Sequence, residues 1–145
     1  MRRQDVWFVA AEAGGMKSIK VVAAIIRRGG EVLATQRGYG EFKDWWEFPG
    51  GKVESGETPE AALEREISEE LEAAIRVIRP VTDVSYDYET FHLDMRCFLC
   101  ELVGDGLTLL EHESAAWLDA ATLGSVKWLP ADIQVVETIR EQGIV

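Results

Sequence analysis

The sequence lacks long apolar runs and has few basic residues. No apolar stretch reaches the roughly 20 residues that a membrane-spanning helix needs, and the longest candidate, residues 21–26, is typical of a buried strand. Lysine and arginine number 15 against 26 acidic residues, which gives a net charge of −11. Because a polyanion requires a basic surface, polymeric nucleic acid and anionic membranes are poor candidate partners. A small anionic ligand remains compatible with this charge if cations accompany it.

Cysteine is also scarce, and the chain contains only Cys97 and Cys100. A zinc centre would need a second pair of ligands, and the sequence places none near them. The alternating pattern around them predicts a strand, which directs the two thiols to opposite faces. We therefore expect two reduced cysteines rather than a zinc or redox centre. Since the N-terminus shows no secretory signal pattern, we expect a cytoplasmic protein.

The rest of the composition is that of a globular protein. The chain has 145 residues, of which 47% are apolar and 28% are charged, and this length corresponds to one domain. Gly14 and Gly15 separate the first residues from the stronger patterns that follow. We predict an N-terminal appendage over residues 1–15 and a single domain over residues 16–145.

Strand and helix patterns alternate irregularly along the chain. Valine and isoleucine predict a strand over residues 20–27, a glycine pair then predicts a turn, and a second strand follows over residues 31–37. Thr58 as N-cap and Pro59 at the first helical position predict a helix over residues 59–71. The further predicted elements are strands over residues 74–78, 81–88, 91–102, 107–111 and 115–118, a helical turn over 119–123 and a helix over 130–140. This order predicts a mixed α/β or α+β sandwich.

The predicted first helix carries three glutamates on one face. Glu66, Glu69 and Glu70 are spaced i, i+3, i+4, and each such like-charged pair destabilises a helix by about 0.2–0.5 kcal/mol. The negative C-terminal end of the helix dipole disfavours them further. A solvated surface is the usual explanation for acidic residues, but this arrangement slightly favours a bound cation. Oxygen ligands without histidine or cysteine suit Mg²⁺ or Mn²⁺.

A glycine-containing loop precedes this helix. Phe48 and Pro49 are followed by Gly50 and Gly51, which allow the backbone to approach a ligand closely. Lys52 comes next and adds a mobile positive charge that suits a phosphate group. The loop and the acidic helix together predict a site for a metal ion and a phosphorylated ligand.

This region resembles a known family. Five residues separate Gly51 from Glu57, and seven more separate Glu57 from the run Arg65-Glu66-Ile67-Ser68-Glu69-Glu70. This spacing matches that of the Nudix box. The resemblance extends from about residue 17 to residue 143 and is strongest to the MutT-type nucleoside triphosphate diphosphatases, which include 8-oxo-dGTP and CTP pyrophosphohydrolases. Where the family has a glycine after the last glutamate, this chain has Glu72. That departure concerns the end of the helix and not the metal ligands.

The resemblance implies a fold, a cofactor and a set of site residues. It implies an α/β/α sandwich around a mixed sheet, and a Mg²⁺- or Mn²⁺-dependent cleavage of nucleoside diphosphates linked to another group. Glu66 or Glu69 would accept a proton from water, while Arg65 would pair with Glu57 to hold the loop against the helix. The implied metal ligands are the Gly50 carbonyl, Glu66, Glu69, Glu70 and Glu111, with Glu113 as an alternative to Glu111.

The substrate side of the site is predicted from fewer signals. Asp132 falls where MutT-type relatives carry a residue that contacts the nucleobase, although an aspartate after a proline is also a natural helix-start residue. Trp128 and Trp45 could stack on the base, but tryptophan is more often a core residue. Arg37 could contact a phosphate or the base, and Lys52 a phosphate; a plain surface arginine is the alternative for Arg37.

The chain contains two histidines. His92 and His112 have no partners at ligand spacing, and we predict that they take no part in the site.

The predicted function is hydrolysis of nucleoside triphosphates, whether ordinary or oxidised, to a nucleoside monophosphate and pyrophosphate. Such an enzyme would remove unwanted nucleotides from the cellular pool as a monomer or homodimer. One alternative is hydrolysis of another nucleoside diphosphate derivative, such as a nucleotide sugar or a dinucleoside polyphosphate. A second alternative is a nucleotide-binding module of the same fold without turnover.

Overall fold

A computed structural model describes residues 17–110 and 112–145 of the chain. The predicted N-terminal appendage, residues 1–15, lies outside the described residues, and so does Glu111. No helix in the described ranges is long and apolar enough to cross a membrane.

Seven strands and two helices form the described part of the chain. In chain order they are β1 (Lys17–Arg28), β2 (Glu31–Arg37), β3 (Trp46–Glu47), β4 (Gly50–Lys52), α1 (Pro59–Leu71), β5 (Ala74–Asp87), β6 (Phe91–Val103), β7 (His112–Leu118) and α2 (Pro130–Gln142). Helix α1 has the predicted bounds, because Thr58 caps its first turn by accepting a hydrogen bond from the Ala61 amide at 3.1 Å.

The strands form a mixed sheet, as predicted. Its order is β3-β2-β1-β6-β5, with β4 paired to β1 and β7 paired to β2. Strands β1 and β6 run parallel over Lys17–Ile26 and Phe91–Cys100, whereas the other pairs, such as β5 with β6, are antiparallel. Helix α1 lies in the connection between β4 and β5, and α2 follows the last strand.

Each face of the sheet carries its own apolar core. Val21, Ala23 and Ile25 of β1 belong to the core that includes Val135 and Ile139 of α2. The residues of β1 that alternate with these face the other core, which also contains Leu63, Ile67 and Leu71 of α1. They are Val22, Ala24 and Ile26. Because side chains alternate along a strand, the continuous apolar run in β1 supplies both cores. The result is the predicted sheet between two helical layers.

The two cysteines lie on opposite faces of the sheet, as predicted. Cys97 belongs to the core that contains α2 and Cys100 to the core that contains α1, and both are free and buried. Burial raises the pKa of both thiols, that of Cys100 to about 12. Neither is suited to act as a nucleophile at neutral pH, since the thiolate is the reactive form.

The structure corrects two predictions about strands. The separate strands predicted over residues 74–78 and 81–88 form one strand, β5, whose pairing with β6 shifts between Pro80 and Thr82. Pro80 lacks an amide N–H and fits there because β5 is an edge strand. The prediction of a strand over residues 107–111 is wrong for residues 107–110, which form no strand. The amides of Thr108 and Leu110 instead donate to the Leu71 and Glu70 carbonyls at the end of α1.

Candidate active site

The acidic residues of α1 differ in their exposure. Glu66 is completely buried and Glu70 is 4% exposed, because both lie on the face of α1 that packs against the sheet. The Glu69 side chain is 36% exposed. Of the three glutamates predicted to share one face of α1, two are therefore buried and one, Glu69, is accessible to water.

Glycines allow the loop to reach these carboxyl groups. A Cβ atom on Gly51 would lie 2.3 Å from Cδ of Glu66, so any other residue there would force this buried carboxylate to move. A Cβ atom on Gly50 would lie 2.0 Å from the Val22 carbonyl oxygen of β1. Both positions thus require close backbone approach, as the sequence predicted for this loop. The loop is held between β1 and the acidic face of α1.

Arg65 connects the loop to the helix. Its Nε and Nη2 atoms donate to the two carboxylate oxygens of Glu57 at 2.6 and 2.8 Å, and Nη2 also donates to the Lys52 carbonyl at 3.1 Å. Its Nη1 atom donates to Glu66 at 3.0 Å and to Glu69 at 3.3 Å. These carboxylates raise the pKa of Arg65 above its ordinary value. The pair of Arg65 and Glu57 that the resemblance implied is thus present.

The arrangement around Glu66 fits a divalent metal ion. Glu66, Glu69 and Glu70 offer only oxygen donors, and Gly51 leaves the space beside Glu66 clear of a side chain. Mg²⁺ and Mn²⁺ prefer such donors. Over residues 17–110 and 112–145, no three acidic, histidine or cysteine side chains already converge as a metal centre. A bound ion would therefore require the glutamates to adjust their rotamers.

A cavity begins at this acidic face and extends toward α2. Gly50, Gly51 and Glu70 line one end of it. Its middle is lined by the apolar side chains of Val21, Phe48 and Met95. Arg37, Glu47, His112 and Asp132 line the same cavity and are all buried or half-buried. An apolar cleft with a few polar groups is typical of a small-molecule site.

Arg37 and Glu47 form a buried ion pair in this cavity. Arg37 is 4% exposed, and its Nη2 atom donates to Oε1 of Glu47 at 2.5 Å. Burial alone would raise the pKa of Glu47, but the charges of Arg37 and His112 lower it to about 2. Glu47 is therefore ionised at neutral pH. The structure corrects the alternative that Arg37 is a surface residue.

Two residues that line the cavity, Glu47 and His112, were not among the site residues predicted from the sequence. His112 was predicted to take no part, yet it lines the cavity, and its Nε2 atom lies 3.6 Å from Oε2 of Glu47. It arrives there because β7 pairs with β2 so that His112 lies opposite Arg37. No local pattern in the sequence indicates that pairing. A signal for Glu47 did exist, because a charged residue between Trp46 and Phe48 is unusual in a buried strand.

Asp132 lies in the first turn of α2 and lines the cavity. It is 2% exposed, and its Oδ1 atom accepts a hydrogen bond from the Phe48 amide at 3.0 Å. Burial and the negative charge of Glu47 raise its pKa to about 8. Asp132 is thus both a helix-start residue and a lining residue of the cavity, which joins the two alternatives offered by the sequence.

Trp128 occupies a core position, the alternative that the sequence offered to stacking on the base. Its ring stacks on Phe48 with ring centroids 4.5 Å apart, and its Nε1 atom donates to the Leu123 carbonyl at 2.7 Å. It is 6% exposed and does not line the cavity. Trp45 lies outside the cavity as well, with Nζ of Lys127 placed 4.0 Å from its ring centroid.

The other candidate residues lie nearer the surface. Lys52 is half-buried on β4, and its carbonyl accepts the Arg65 hydrogen bond described above. Glu113 pairs with Lys43 at 3.4 Å. His92 contacts Asp87 and Asp94 and is not among the residues that line the cavity. The location of Glu111 falls outside the described residues.

Comparison with known proteins now decides the family. The family model of the NUDIX domain matches residues 16–138. The chain belongs to the Nudix family. Among Nudix relatives, a putative 8-oxo-dGTP diphosphatase 2 from Mycobacterium tuberculosis is 38% identical over 117 residues, which cover 77% of this chain and 81% of the relative. A CTP pyrophosphohydrolase from Escherichia coli is 33% identical over 123 residues, covering 84% and 91%.

A solved structure agrees with the Nudix assignment. The solution structure of the E. coli ORF135 protein matches with a TM-score of 0.76 and 32% identity, covering 91% of this chain and 95% of that one. The chain is therefore a MutT-like Nudix pyrophosphohydrolase, as the sequence predicted. Nudix hydrolases generally use a divalent metal ion such as Mg²⁺.

Proposed function

We propose that this enzyme hydrolyses nucleoside triphosphates to a nucleoside monophosphate and pyrophosphate in the presence of Mg²⁺ or Mn²⁺. The observation that carries the proposal is the cavity whose lining extends without interruption from Glu70 and the glycine loop to Asp132. A nucleotide needs such an arrangement, with oxygen ligands for metal-bound phosphates at one end and polar groups for a base at the other. The named relatives act on nucleotides of this class.

The residues proposed to hold the metal are the Gly50 carbonyl, Glu66, Glu69, Glu70 and Glu111. A divalent ion bound there would neutralise phosphate charge and lower the pKa of the attacking water. Arg65 keeps Glu66 and Glu69 in place through the hydrogen bonds described above. It is in turn fixed by Glu57, so that both residues act through the glutamates they position.

Glu69 is the better candidate to accept a proton from water. Its side chain is 36% exposed, whereas that of Glu66 is completely buried. A general base must reach the proton that it removes. We therefore assign the base role to Glu69 and a metal-holding role to Glu66, with Lys52 and Arg37 contacting phosphate or base.

The proposed substrate is a nucleoside triphosphate with an ordinary or oxidised base. Relatives named for 8-oxo-dGTP and for CTP make both bases candidates. The small-molecule role agrees with the net charge of −11, because a metal-bound triphosphate does not require a basic surface. Removal of unwanted nucleotides in the cytoplasm, by a monomer or homodimer, remains a prediction from the sequence.

A substrate panel with product identification tests this proposal. The purified enzyme is incubated with Mg²⁺ and each ordinary triphosphate, 8-oxo-dGTP, a nucleotide sugar and a dinucleoside polyphosphate. We expect at least one triphosphate to give equal amounts of nucleoside monophosphate and pyrophosphate. Orthophosphate as the sole inorganic product would overturn the proposal, and so would faster cleavage of the nucleotide sugar or the dinucleoside polyphosphate. A reaction with chelator in place of Mg²⁺ is the control.

A further inference from the structure

Helix α2 begins without a side-chain cap. Its N-cap residue is Leu129, whose apolar side chain cannot accept a hydrogen bond, and Pro130 at the next position has no amide N–H. Helix α1 differs, because the Thr58 hydroxyl group accepts the Ala61 amide in its first turn. The first donors of a helix have no partner within it. The amides at the start of α2 therefore need acceptors from elsewhere in the molecule.

The backbone donors at the start of α2 each have an acceptor. The Leu129 amide donates to the Trp46 carbonyl of β3 at 2.8 Å, and the Asp132 amide donates back to the Leu129 carbonyl at 2.9 Å. The Ala131 amide donates to the hydroxyl oxygen of Tyr88 at 3.2 Å, a residue 43 positions earlier in the chain. Ala131 is completely buried, so water cannot replace this acceptor without a rearrangement. Tyr88 thus supplies the hydrogen bond that an N-cap side chain normally supplies.

Tyr88 is itself held in place where β5 turns into β6. It is 8% exposed, and its amide donates to the Phe91 carbonyl at 2.8 Å. Its ring stacks on that of Phe91 with ring centroids 4.9 Å apart. The centroid of the Phe42 ring, which belongs to the loop after β2, lies 5.3 Å away. The hydroxyl oxygen of Tyr88 therefore has a fixed position relative to the sheet.

The capped turn places Asp132 at the cavity. Asp132 follows Ala131 directly, is 2% exposed, and accepts the Phe48 amide on Oδ1 at 3.0 Å. It lines the same cavity as Glu70 of α1, whereas Tyr88 is not among the residues that line it. A molecule bound in the cavity would therefore depend on the Tyr88 hydroxyl group only through the position of α2.

We propose that Tyr88 is a positioning residue for the substrate, because its hydroxyl group supplies the cap that α2 lacks and thereby holds Asp132 at the cavity. This inference rests on the proposed function and adds to it a residue that acts without touching the substrate. Loss of the hydroxyl group would leave a buried amide without its acceptor, so the first turn of α2 would have to shift or admit water. The proposed glutamate ligands on α1 do not depend on this turn, and such a shift would therefore weaken substrate binding more than turnover.

The first test removes only the hydroxyl group, in Tyr88→Phe, which keeps the ring that packs on Phe91 and Phe42. We expect KM for the best triphosphate and the dissociation constant of the nucleoside monophosphate each to rise about three- to tenfold, the factor that corresponds to one hydrogen bond of ordinary net strength. We expect kcat to stay within about twofold. Tyr86→Phe is the control, because it removes the hydroxyl group of a neighbouring tyrosine whose ring centroid lies 4.8 Å from that of Tyr88. A large fall of kcat at constant KM would overturn the inference.

The second test asks whether Tyr88 acts through Asp132. Tyr88→Phe and Asp132→Ala are made separately and together, and the dissociation constant of the nucleoside monophosphate is measured for each protein. We expect Tyr88→Phe to change binding by less than about twofold once Asp132 is alanine, because residues that act as one unit are not additive. The same factor with and without Asp132 would show that Tyr88 acts independently of it, and would overturn the inference.

The third test observes the cap directly and does not depend on turnover. In Tyr88→Phe labelled with nitrogen-15, we expect the Ala131 amide signal to shift and its hydrogen to exchange faster with solvent. The Ala61 amide, which Thr58 caps in α1, is the matched control and should not change. An unchanged Ala131 amide would overturn the inference even if triphosphates are hydrolysed. If no triphosphate is hydrolysed while the Ala131 amide responds as expected, the proposed function fails and the cap of α2 does not.

Discussion

Glu72 ends α1 in a conformation that normally favours glycine. Its φ and ψ are 48° and 42°, in the left-handed region, and its amide donates to the Ser68 carbonyl at 3.1 Å. The Nudix box has a glycine at this position, which allows a helix to end in the left-handed conformation. The structure keeps the left-handed conformation although the residue is Glu72. A residue with a Cβ atom is strained there by about 1–2 kcal/mol.

Replacing Glu72 by glycine should therefore stabilise the enzyme. We expect Glu72→Gly to raise the free energy of unfolding by about 0.5–1 kcal/mol, because relief of backbone strain exceeds the entropy that glycine adds to the unfolded chain. Urea denaturation measures the change. Glu72→Gln removes the charge and keeps the strain, so it serves as the control. Equal gains from both variants would attribute the effect to charge instead.

The exposed and the buried glutamates of α1 should both be needed for turnover. We expect Glu69→Gln and Glu70→Gln each to lower kcat by about 100-fold or more, since the first would remove the proposed proton acceptor and the second a proposed metal ligand. Folding should be unaffected or improved, because each change removes a like-charged neighbour. Steady-state kinetics and thermal melting measure the two effects. Glu64→Gln, an exposed position on the same helix, should leave kcat unchanged.

At the scale of elements, the loop and α1 depend on each other through Gly51. Gly51→Ala would place a Cβ atom 2.3 Å from Cδ of the buried Glu66. We expect a loss of about 1–3 kcal/mol in unfolding free energy, typical of overpacking, together with a large loss of kcat. Gly106→Ala is the matched control, because no atom lies within 4 Å of its added Cβ. Similar losses in the two variants would contradict a specific contact with Glu66.

The sequence predicted those elements whose signals are local. The start of α1 followed from Thr58 as N-cap and Pro59 at the first helical position. The resemblance separately implied the pair of Arg65 and Glu57, which is present. The segment 107–110 was mistaken for a strand because its alternating leucines do pack on the core, while its amides bond to the end of α1. Apolar periodicity records which side chains are buried, and not which carbonyl groups accept the hydrogen bonds of the backbone.

The polar part of the cavity was less accessible to sequence reasoning. Arg37, Glu47 and His112 meet only because β2 pairs with β3 on one side and with β7 on the other. Such contacts depend on strand register, and a shift of one residue would direct His112 to the opposite face. The proposed metal ligands on α1 belong to one motif, whereas the polar end of the cavity comes from three separate segments.

At the scale of the whole molecule, Asp132 should make stability depend on pH. Its pKa of about 8 in the folded protein exceeds the ordinary value of 3.8, so the folded state binds more protons between those limits. The stabilising contribution is present below pH 4 and is lost as pH rises through 8, with a slope of at most about 1.4 kcal/mol per pH unit. The lowered pKa of Glu47 acts in the opposite direction and only below about pH 4.5.

Comparison with Asp132→Asn isolates this effect. Between pH 5 and 8, we expect the unfolding free energy of the unchanged enzyme to fall relative to that of the variant. In this range the folded enzyme holds a proton on Asp132 that the unfolded chain has lost, and the asparagine variant has no such proton. Other titrating groups are common to both proteins and cancel in the difference. Urea denaturation at each pH gives the measurement, and parallel pH profiles would contradict a raised pKa.

The two helices contribute to one cavity from opposite sides of the sheet, with Glu70 on α1 and Asp132 on α2. In a chain of net charge −11, a divalent ion held by the proposed ligands on α1 would offset the repulsion among them, and it would stabilise the folded state that brings them together. Saturating Mg²⁺, at about 100 times its dissociation constant, should therefore add about 2.7 kcal/mol and raise the melting temperature. Sodium chloride at matched ionic strength separates this from general screening, and Glu70→Gln should lose most of the shift. An equal rise with either salt, or in the variant, would show that Mg²⁺ does not bind at these glutamates.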